Sequence, residues 1–114
     1  MMTEAVIPNY AYFADLPGLF SDIPEDSIVS RTVHKGDNSK VVLFGFAAGQ
    51  YLSEHTSTQE AFLQIVQGDA TLVIDGDSYE ANAGAWVRMA PNIKHSVVAK
   101  TPVIMLLYLV KPSE

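Results

Sequence analysis

Three histidines, His34, His55 and His95, are the residues of this chain whose type alone could carry chemistry. Imidazole is the commonest metal ligand in proteins and a general base near neutral pH. A metal site needs three or more converging ligands, and these histidines lie in separate segments whose spacing does not show convergence. The sequence lacks the motifs of zinc proteases, phosphate-binding loops, dinucleotide folds and nucleophilic serines. Each histidine could therefore also be structural or exposed.

Length and composition limit what these residues can belong to. The chain has 114 residues, no Cys and a formal net charge of −6. That length supports one domain with a real core. The lack of Cys excludes a disulfide framework, a thiolate zinc site and a cysteine nucleophile. Because nucleic acids and anionic membranes attract clustered Lys and Arg, we expect neither as a partner.

The sequence also carries an expectation about location. The longest apolar run, Val103–Val110, has eight residues, against about 20 for a membrane-spanning helix. The first ten residues contain an acid and no basic run before an apolar stretch, which does not resemble a signal peptide. We therefore expect a cytoplasmic protein.

The elements that must position the histidines are predicted to be short strands between turn residues. Asp75-Gly76 between two strands is a strong hairpin signal. Val103–Val110 is apolar on both faces and should be a central, doubly covered strand. Strands at this spacing predict an all-β sandwich or barrel. The predicted strands are Ile28–His34, Val41–Phe46, Thr71–Ile74, Ser78–Ala81, Ala85–Met89, Ser96–Ala99 and Val103–Val110.

Two segments do not fit this pattern directly. Ser57–Glu60 matches a helix capping box, so Ala61–Gln67 could be a short helix ended by Gly68, or Phe62–Gln67 could be a strand. Residues 1–27 contain three prolines and several aromatic side chains. We interpret residues 1–27 as an irregular arm that packs on the body or on a second subunit.

The surroundings of His55 and His95 resemble the two sequence motifs of the cupin superfamily. The first motif has five residues between a Gly and a His and ends at a second Gly, and the second motif runs from Gly through Pro to His. The matching positions are Gly49, His55 and Gly68 in the first motif and Gly84, Pro91 and His95 in the second. The resemblance covers residues 41–110 and implies a small jelly-roll barrel of two antiparallel sheets over residues 28–114. It also implies that Phe62–Gln67 is a strand.

Departures from the cupin motifs concern the metal ligands. Ser57 stands in the slot of the second motif-one His, and Ala61 stands in the slot of the Glu ligand. Of the four ligands that the family typically supplies, the chain keeps His55 and His95. The resemblance therefore implies at most a weakly held divalent metal (zinc, nickel, manganese or iron). A third ligand could come from Glu60 or His34.

The same departures predict where a ligand would bind. Small residues at positions 57 and 61 leave space, and strand alternation would turn Ala61, Leu63 and Ile65 inward with Ser57 nearby. Such an apolar interior with two polar points is typical of a small-molecule site. The function could be metal-dependent action on a small molecule or metal-free binding or sensing. An open sheet edge and the apolar arm favour a homodimer.

Trp86 and Arg88 share one face of their predicted strand. If that face lined the pocket, Arg88 could bind a substrate carboxylate. The alternative is a surface cation–π pair or an interface contact.

Overall fold

The computed structural model describes residues 9–112, which form nine strands and one short 3-10 helix, Pro17–Leu19. The strands make two antiparallel sheets, one of five strands in the order β1-β2-β9-β4-β7 and one of four in the order β3-β8-β5-β6. This architecture confirms the predicted all-β barrel. The strands are β1 (Ile28–Lys35), β2 (Ser39–Phe46), β3 (Tyr51–His55), β4 (Glu60–Gln67), β5 (Ala70–Ile74), β6 (Asp77–Ala81), β7 (Trp86–Met89), β8 (His95–Ala99) and β9 (Val103–Val110).

The core lies between the two sheets. Alternate residues of the strands point inward, and the largest fully buried side chains there include Phe46, Ile65, Met105 and Val97. Each such side chain contributes about 1.5–3 kcal/mol through the apolar surface that it removes from water. Hydrophobic burial across this interior is what holds the two sheets together.

Strand β9 has the bounds predicted for the central apolar strand, Val103–Val110, and it pairs with both β2 and β4. Its inward residues join the barrel core. Its outward residues Ile104 and Leu106 form a second buried cluster, covered by arm residues Leu16, Leu19, Phe20 and Ile23. The arm therefore lies on the outer face of the five-stranded sheet; residues 1–8 of the predicted arm lie outside the described part of the chain.

Local turn chemistry accounts for two of the predicted features. Asp75 and Gly76 have φ values of 50° and 86°, as the two central residues of a type I′ hairpin turn require. Residues Glu60–Gln67 form strand β4, which confirms a strand there and not a helix. The Ser57 hydroxyl does accept a hydrogen bond from Gln59 N at 3.0 Å, so the capping signal serves a turn before the strand.

Two irregularities were not predicted, and each moves a histidine. The register of β1 on β2 shifts between Thr32 and His34, so His34 pairs with Val41 on the outer face of the sheet. His34 therefore lies on the opposite face from Thr32, away from the barrel interior where a third ligand would be needed. Strand β3 was not predicted at all, because its own register shift between Leu52 and His55 breaks the alternation.

Within residues 9–112, no helix has the length and apolar character needed to cross a membrane.

Candidate functional site

His55 and His95 meet across the pairing of β3 and β8. Their Cα atoms are direct partners in the ladder. The ring centroids are 4.2 Å apart, and the ring planes meet at 61° in an edge-to-face arrangement. His95 is buried and shares its strand face with the buried Val97 and Ala99, whereas His55 is exposed. The pair therefore lies where the barrel interior meets solvent.

Backbone carbonyls two residues upstream hold both rings. His55 Nδ1 lies 2.7 Å from the carbonyl oxygen of Ser53, and His95 Nδ1 lies 2.9 Å from that of Ile93. A carbonyl oxygen can only accept a hydrogen bond, so each Nδ1 carries the proton and donates it. In the neutral rings this leaves Nε2 as a lone-pair acceptor, the arrangement that suits a metal or a ligand donor.

Burial sets the charge state of His95. It lowers the pKa of the His95 imidazole, and the neighbouring His55 lowers that pKa further, while the hydrogen bond to Ile93 acts in the opposite direction. Loss of hydration disfavours the imidazolium more than the neutral ring. His95 is therefore neutral at neutral pH, with its Nε2 lone pair free to accept.

The loop that follows β3 and the loop that precedes β8 are tied together. Asn92 N donates a hydrogen bond to the Ser57 carbonyl at 2.7 Å, joining the β7–β8 loop to the β3–β4 loop. Asn92 has a φ of 69°, in the left-handed region that Asn tolerates better than other residues with a side chain. Asn92 thus holds a backbone conformation that glycine would adopt without a steric penalty.

The residues predicted to line a pocket lie on β4 and on the loop before it. Ala61, Leu63 and Ile65 are buried on the inward face of β4, and Ala61 pairs with the buried Met89. Ser57 is half-buried in the loop, where its hydroxyl oxygen serves the turn. The inward face of β4 is thus apolar; that these residues line a pocket and that a ligand occupies it stay predictions.

The structure brings neither predicted third ligand to the histidine pair. Glu60 alternates with the inward Ala61 and so faces outward, where its carboxylate accepts a hydrogen bond from Arg88 Nε at 2.5 Å. His34 lines a cavity of about 530 Å³ on the outer face of the sheet, beneath the arm. Within the described part of the chain, no three His, Asp or Glu side chains form a cluster that could hold a metal ion.

Trp86 and Arg88 lie on the outer surface and not in the barrel. Arg88 forms the ion pair with Glu60, and the Trp86 ring lies 5.9 Å from that of Phe62. The substrate-carboxylate role for Arg88 therefore has no geometric support.

Sequence reasoning missed the two carbonyls that orient the histidines. Ser53 and Ile93 each stand two residues before a histidine. Every residue has a backbone carbonyl two positions upstream, so no sequence signal marks these two.

A two-sheet jelly-roll barrel with a histidine at the start of β8 facing another on β3 is the architecture of a cupin. The sequence matches the cupin domain family over residues 42–110, and the chain belongs to that family. Comparison with curated proteins finds no match.

Solved structures agree on the fold. A conserved protein of unknown function from Streptococcus pyogenes superposes with a TM-score of 0.81 at 28% identity, covering 99% of this chain and 98% of the other. A cupin superfamily protein from Desulfitobacterium hafniense superposes with a TM-score of 0.81 at 22% identity, covering 95% of this chain and 100% of the other. A salicylate 1,2-dioxygenase from Pseudoaminobacter salicylatoxidans superposes with a TM-score of 0.69 at 13% identity, covering 76% of this chain and 26% of the other. The fold therefore hosts an enzyme in that case, but the fold does not determine function here.

Proposed function

We propose that this cupin binds a small organic molecule where the barrel opens beside His55 and His95. The observation that carries the proposal is the arrangement of the two imidazoles, in which each Nδ1 N–H donates to a backbone carbonyl and each Nε2 is left as an acceptor. The centroids of the two rings are 4.2 Å apart, so both acceptors could receive hydrogen bonds from the hydroxyl or amide groups of one ligand. The apolar side chains of β4 would contact the rest of the ligand.

A bound divalent ion is compatible with this donor set, which supplies two of the ligands that such an ion needs. Neutral imidazoles suit zinc, nickel and iron, and less so manganese. When bound, the ion would polarise an oxygen of the small molecule. Water or the small molecule itself would fill the remaining positions, so we expect weak affinity in the absence of a ligand.

The second candidate is a metal-free binding or sensor module that uses the same pair. The burial of His95 favours it, because a buried neutral imidazole can recognise a donor group without any metal. Ser57 and Ala61, which stand where the family has two further ligands, also favour it. The two candidates differ in whether the histidines contact an ion or the ligand directly.

Titration calorimetry on protein made without a His-tag separates the two candidates. We would titrate zinc, nickel and manganese into wild type, Ser57→His and His95→Ala. The metal-assisted candidate predicts weak binding of one ion per chain to wild type, tighter binding to Ser57→His and none to His95→Ala. His34→Ala is the matched control and should bind as wild type does.

Other outcomes have distinct meanings. If none of the proteins binds metal, the metal-free module takes the place of the metal-assisted candidate. If wild type binds tightly and neither His95→Ala nor Ser57→His changes the affinity, the ion lies elsewhere and the proposed site is wrong.

A further inference from the structure

Two lysines lie on the inner side of the five-stranded sheet at one end of the barrel. Lys40 is the direct partner of Leu109 on β9, and Leu109 is the partner of Ala61 on β4. Direct partners in a ladder share one face of the sheet. Ala61 belongs to the barrel core and Leu109 packs against that core, so this face is the inner one. Lys35 on β1 pairs with Lys40 and shares the same face. These four residues are called the lysine row.

The lysine row lies at the same end of the barrel as the histidine pair. Three short connections cross between the sheets: residues 47–50 join β2 to β3, residues 68–69 join β4 to β5, and residues 100–102 join β8 to β9. The strand orders β2-β9-β4 and β3-β8-β5 therefore match, and β2 lies over β3. Because the chain reverses direction between β2 and β3, Lys40 at the start of β2 lies at the same end as His55, the last residue of β3. Both are inward residues of facing strands.

The distance between the sheets suits a small ligand that contacts both of them. Sheets that pack face to face lie about 10 Å apart. The imidazoles of His55 and His95 extend from one sheet, and the long side chain of Lys40 extends from the other. A molecule of a few non-hydrogen atoms that binds at the histidines therefore lies within reach of the Lys40 ammonium group.

The positive charge of the lysine row is not balanced by the protein. Among residues 9–112, neither Lys35 nor Lys40 forms an ion pair. Like charges directly opposite each other in a ladder destabilise the pairing. Asp77 shares the inner face of His95 through Ile74, but it lies on β6, three strands from β3 and so roughly 14 Å away. An anion bound from outside the protein would relieve the repulsion between the two lysines.

We propose that the ligand of this barrel is a small hydroxylated anion, whose carboxylate or phosphate group Lys40 binds while His55 and His95 accept hydrogen bonds from its hydroxyl groups. The inference rests on the proposed function, because it gives a chemical class to the ligand of the histidine pair. A lysine ammonium group is a compact charge that binds carboxylate and phosphate alike. Lys35 adds to the positive potential at the same place. The ligand is thereby oriented, with its anionic group toward β2 and its hydroxyl groups toward β8.

Three compounds with the same six-carbon hydroxylated chain test the inference: gluconate, sorbitol 6-phosphate and the uncharged sorbitol. Each is titrated into protein labelled with ¹⁵N at histidine and lysine, so that NMR reports on both halves of the site. At least one of the two anions should shift the signals of His55, His95 and Lys40 together. It should bind at least about 10-fold more tightly than sorbitol, as one charge-assisted hydrogen bond would give. The two anions distinguish a carboxylate from a phosphate ligand.

Lys40→Gln and Arg31→Gln form a matched pair of variants. Arg31 pairs with Leu43, which is buried on the outer face of the same sheet. Its removal therefore changes the net charge as much as Lys40→Gln does, without altering the barrel opening. Lys40→Gln should abolish the preference for the anion over sorbitol, and Arg31→Gln should retain it. Equal losses in the two variants would assign the effect to net charge and contradict the proposal.

Failure of this inference is distinguishable from failure of the proposed function. If sorbitol shifts the histidine signals at the same concentration as the two anions, the histidine site stands and the anionic class of ligand is wrong. If an anion shifts Lys40 but neither His55 nor His95, it binds apart from the histidine pair, and the inference is overturned. No response of Lys40 to either anion at about 50 mM also overturns it, since a charged contact in a specific site should give tighter binding. The metal titration still judges the proposed function in that case.

Discussion

What the ring nitrogens of His55 and His95 can do depends on atoms outside the rings. The carbonyls of Ser53 and Ile93 fix the Nδ1 protons, and so they decide that Nε2 is the atom available to a ligand. Desolvation keeps His95 neutral, which preserves that lone pair. The backbone geometry of the two strands therefore determines which ring nitrogen of each histidine can bind a ligand.

The lowered pKa of His95 predicts a pH dependence of stability. The unfolded chain titrates near the ordinary value of 6.5, and the folded chain titrates lower. Between the two values the unfolded state binds more protons, so this contribution to the free energy of unfolding is complete above about pH 6.5 and is lost as the pH falls toward the folded pKa. Urea unfolding in EDTA should show a smaller loss on acidification for His95→Gln than for wild type. An equal loss in both proteins would contradict the burial argument, and His34→Gln is the control.

Asn92 allows a second prediction for a single residue. Its φ of 69° is left-handed, so Asn92→Ala should lower the free energy of unfolding by about 1 kcal/mol. Asn92→Gly should be neutral or stabilising, because glycine enters this region without a steric penalty. Both variants keep the N–H that bonds to Ser57. Chemical denaturation measures the difference, and equal stability of the two variants would show that backbone strain is not what Asn92 relieves.

The sequence predicted the positions of some candidate site residues and not of others. The positions of His55 and His95 relative to motif glycines were sufficient to propose their pairing. Glu60 was a candidate third ligand, but it alternates with the inward Ala61 and so faces outward. His34 could not be placed, because the extra residue of a β-bulge reverses every face that follows it, and no residue type in β1 marks such a bulge.

At the scale of elements, the turn after β4 depends on a glycine, Gly68. Gly68 ends β4 with a φ of 93°, and a Cβ there would lie 2.1 Å from the carbonyl oxygen of Pro102. Because the neighbouring atoms belong to the backbone of Pro102 and Val103, no flexible side chain could move aside for this Cβ. Glycine at this position is therefore required twice, by its conformation and by space.

A matched pair of glycine substitutions tests this requirement. Gly68→Ala should lower the free energy of unfolding by about 3 kcal/mol or more, because strain and collision add. Gly76→Ala should cost only about 1–2 kcal/mol, since Gly76 has a φ of 86° but open space around its Cα. Thermal or urea unfolding measures both. Similar costs at the two positions would contradict the collision at Gly68.

Element type was predictable where patterns were regular. The apolar run of β9 and the Asp-Gly turn carried their own signals. The capping box before β4 pointed to a helix when considered alone, and only the cupin resemblance favoured the strand. Strand β3 escaped prediction because five residues with a register shift leave no alternation to detect.

At the scale of the whole molecule, the inner and outer sides of the sheets carry different features. Their facing sides enclose the core, with His95 at its edge, while the outer side of the five-stranded sheet carries the arm. The proposed ligand site and the arm therefore lie on opposite sides of the five-stranded sheet.

Filling the space beside Ala61 tests whether the interior holds a ligand pocket. If the missing Glu side chain leaves room, Ala61→Leu should cost less than about 1 kcal/mol of unfolding free energy and should still block ligand binding. Ala99→Leu, at a position that is 0% exposed on β8, should cost about 1–3 kcal/mol through overpacking. Denaturation of both variants measures the contrast. An equal or larger cost at Ala61 would show that neighbouring side chains already fill the space.

The most direct test of the histidine site is an NMR titration of protein labelled with ¹⁵N at its three histidines. Long-range ¹H–¹⁵N spectra report the tautomer of each ring and respond to anything that contacts Nε2. The account predicts that His55 and His95 are both protonated at Nδ1, and that zinc or binding compounds from a small-molecule library shift their Nε2 signals while His34 stays unchanged. Rings of His55 and His95 protonated at Nε2, or a response confined to His34, would contradict it.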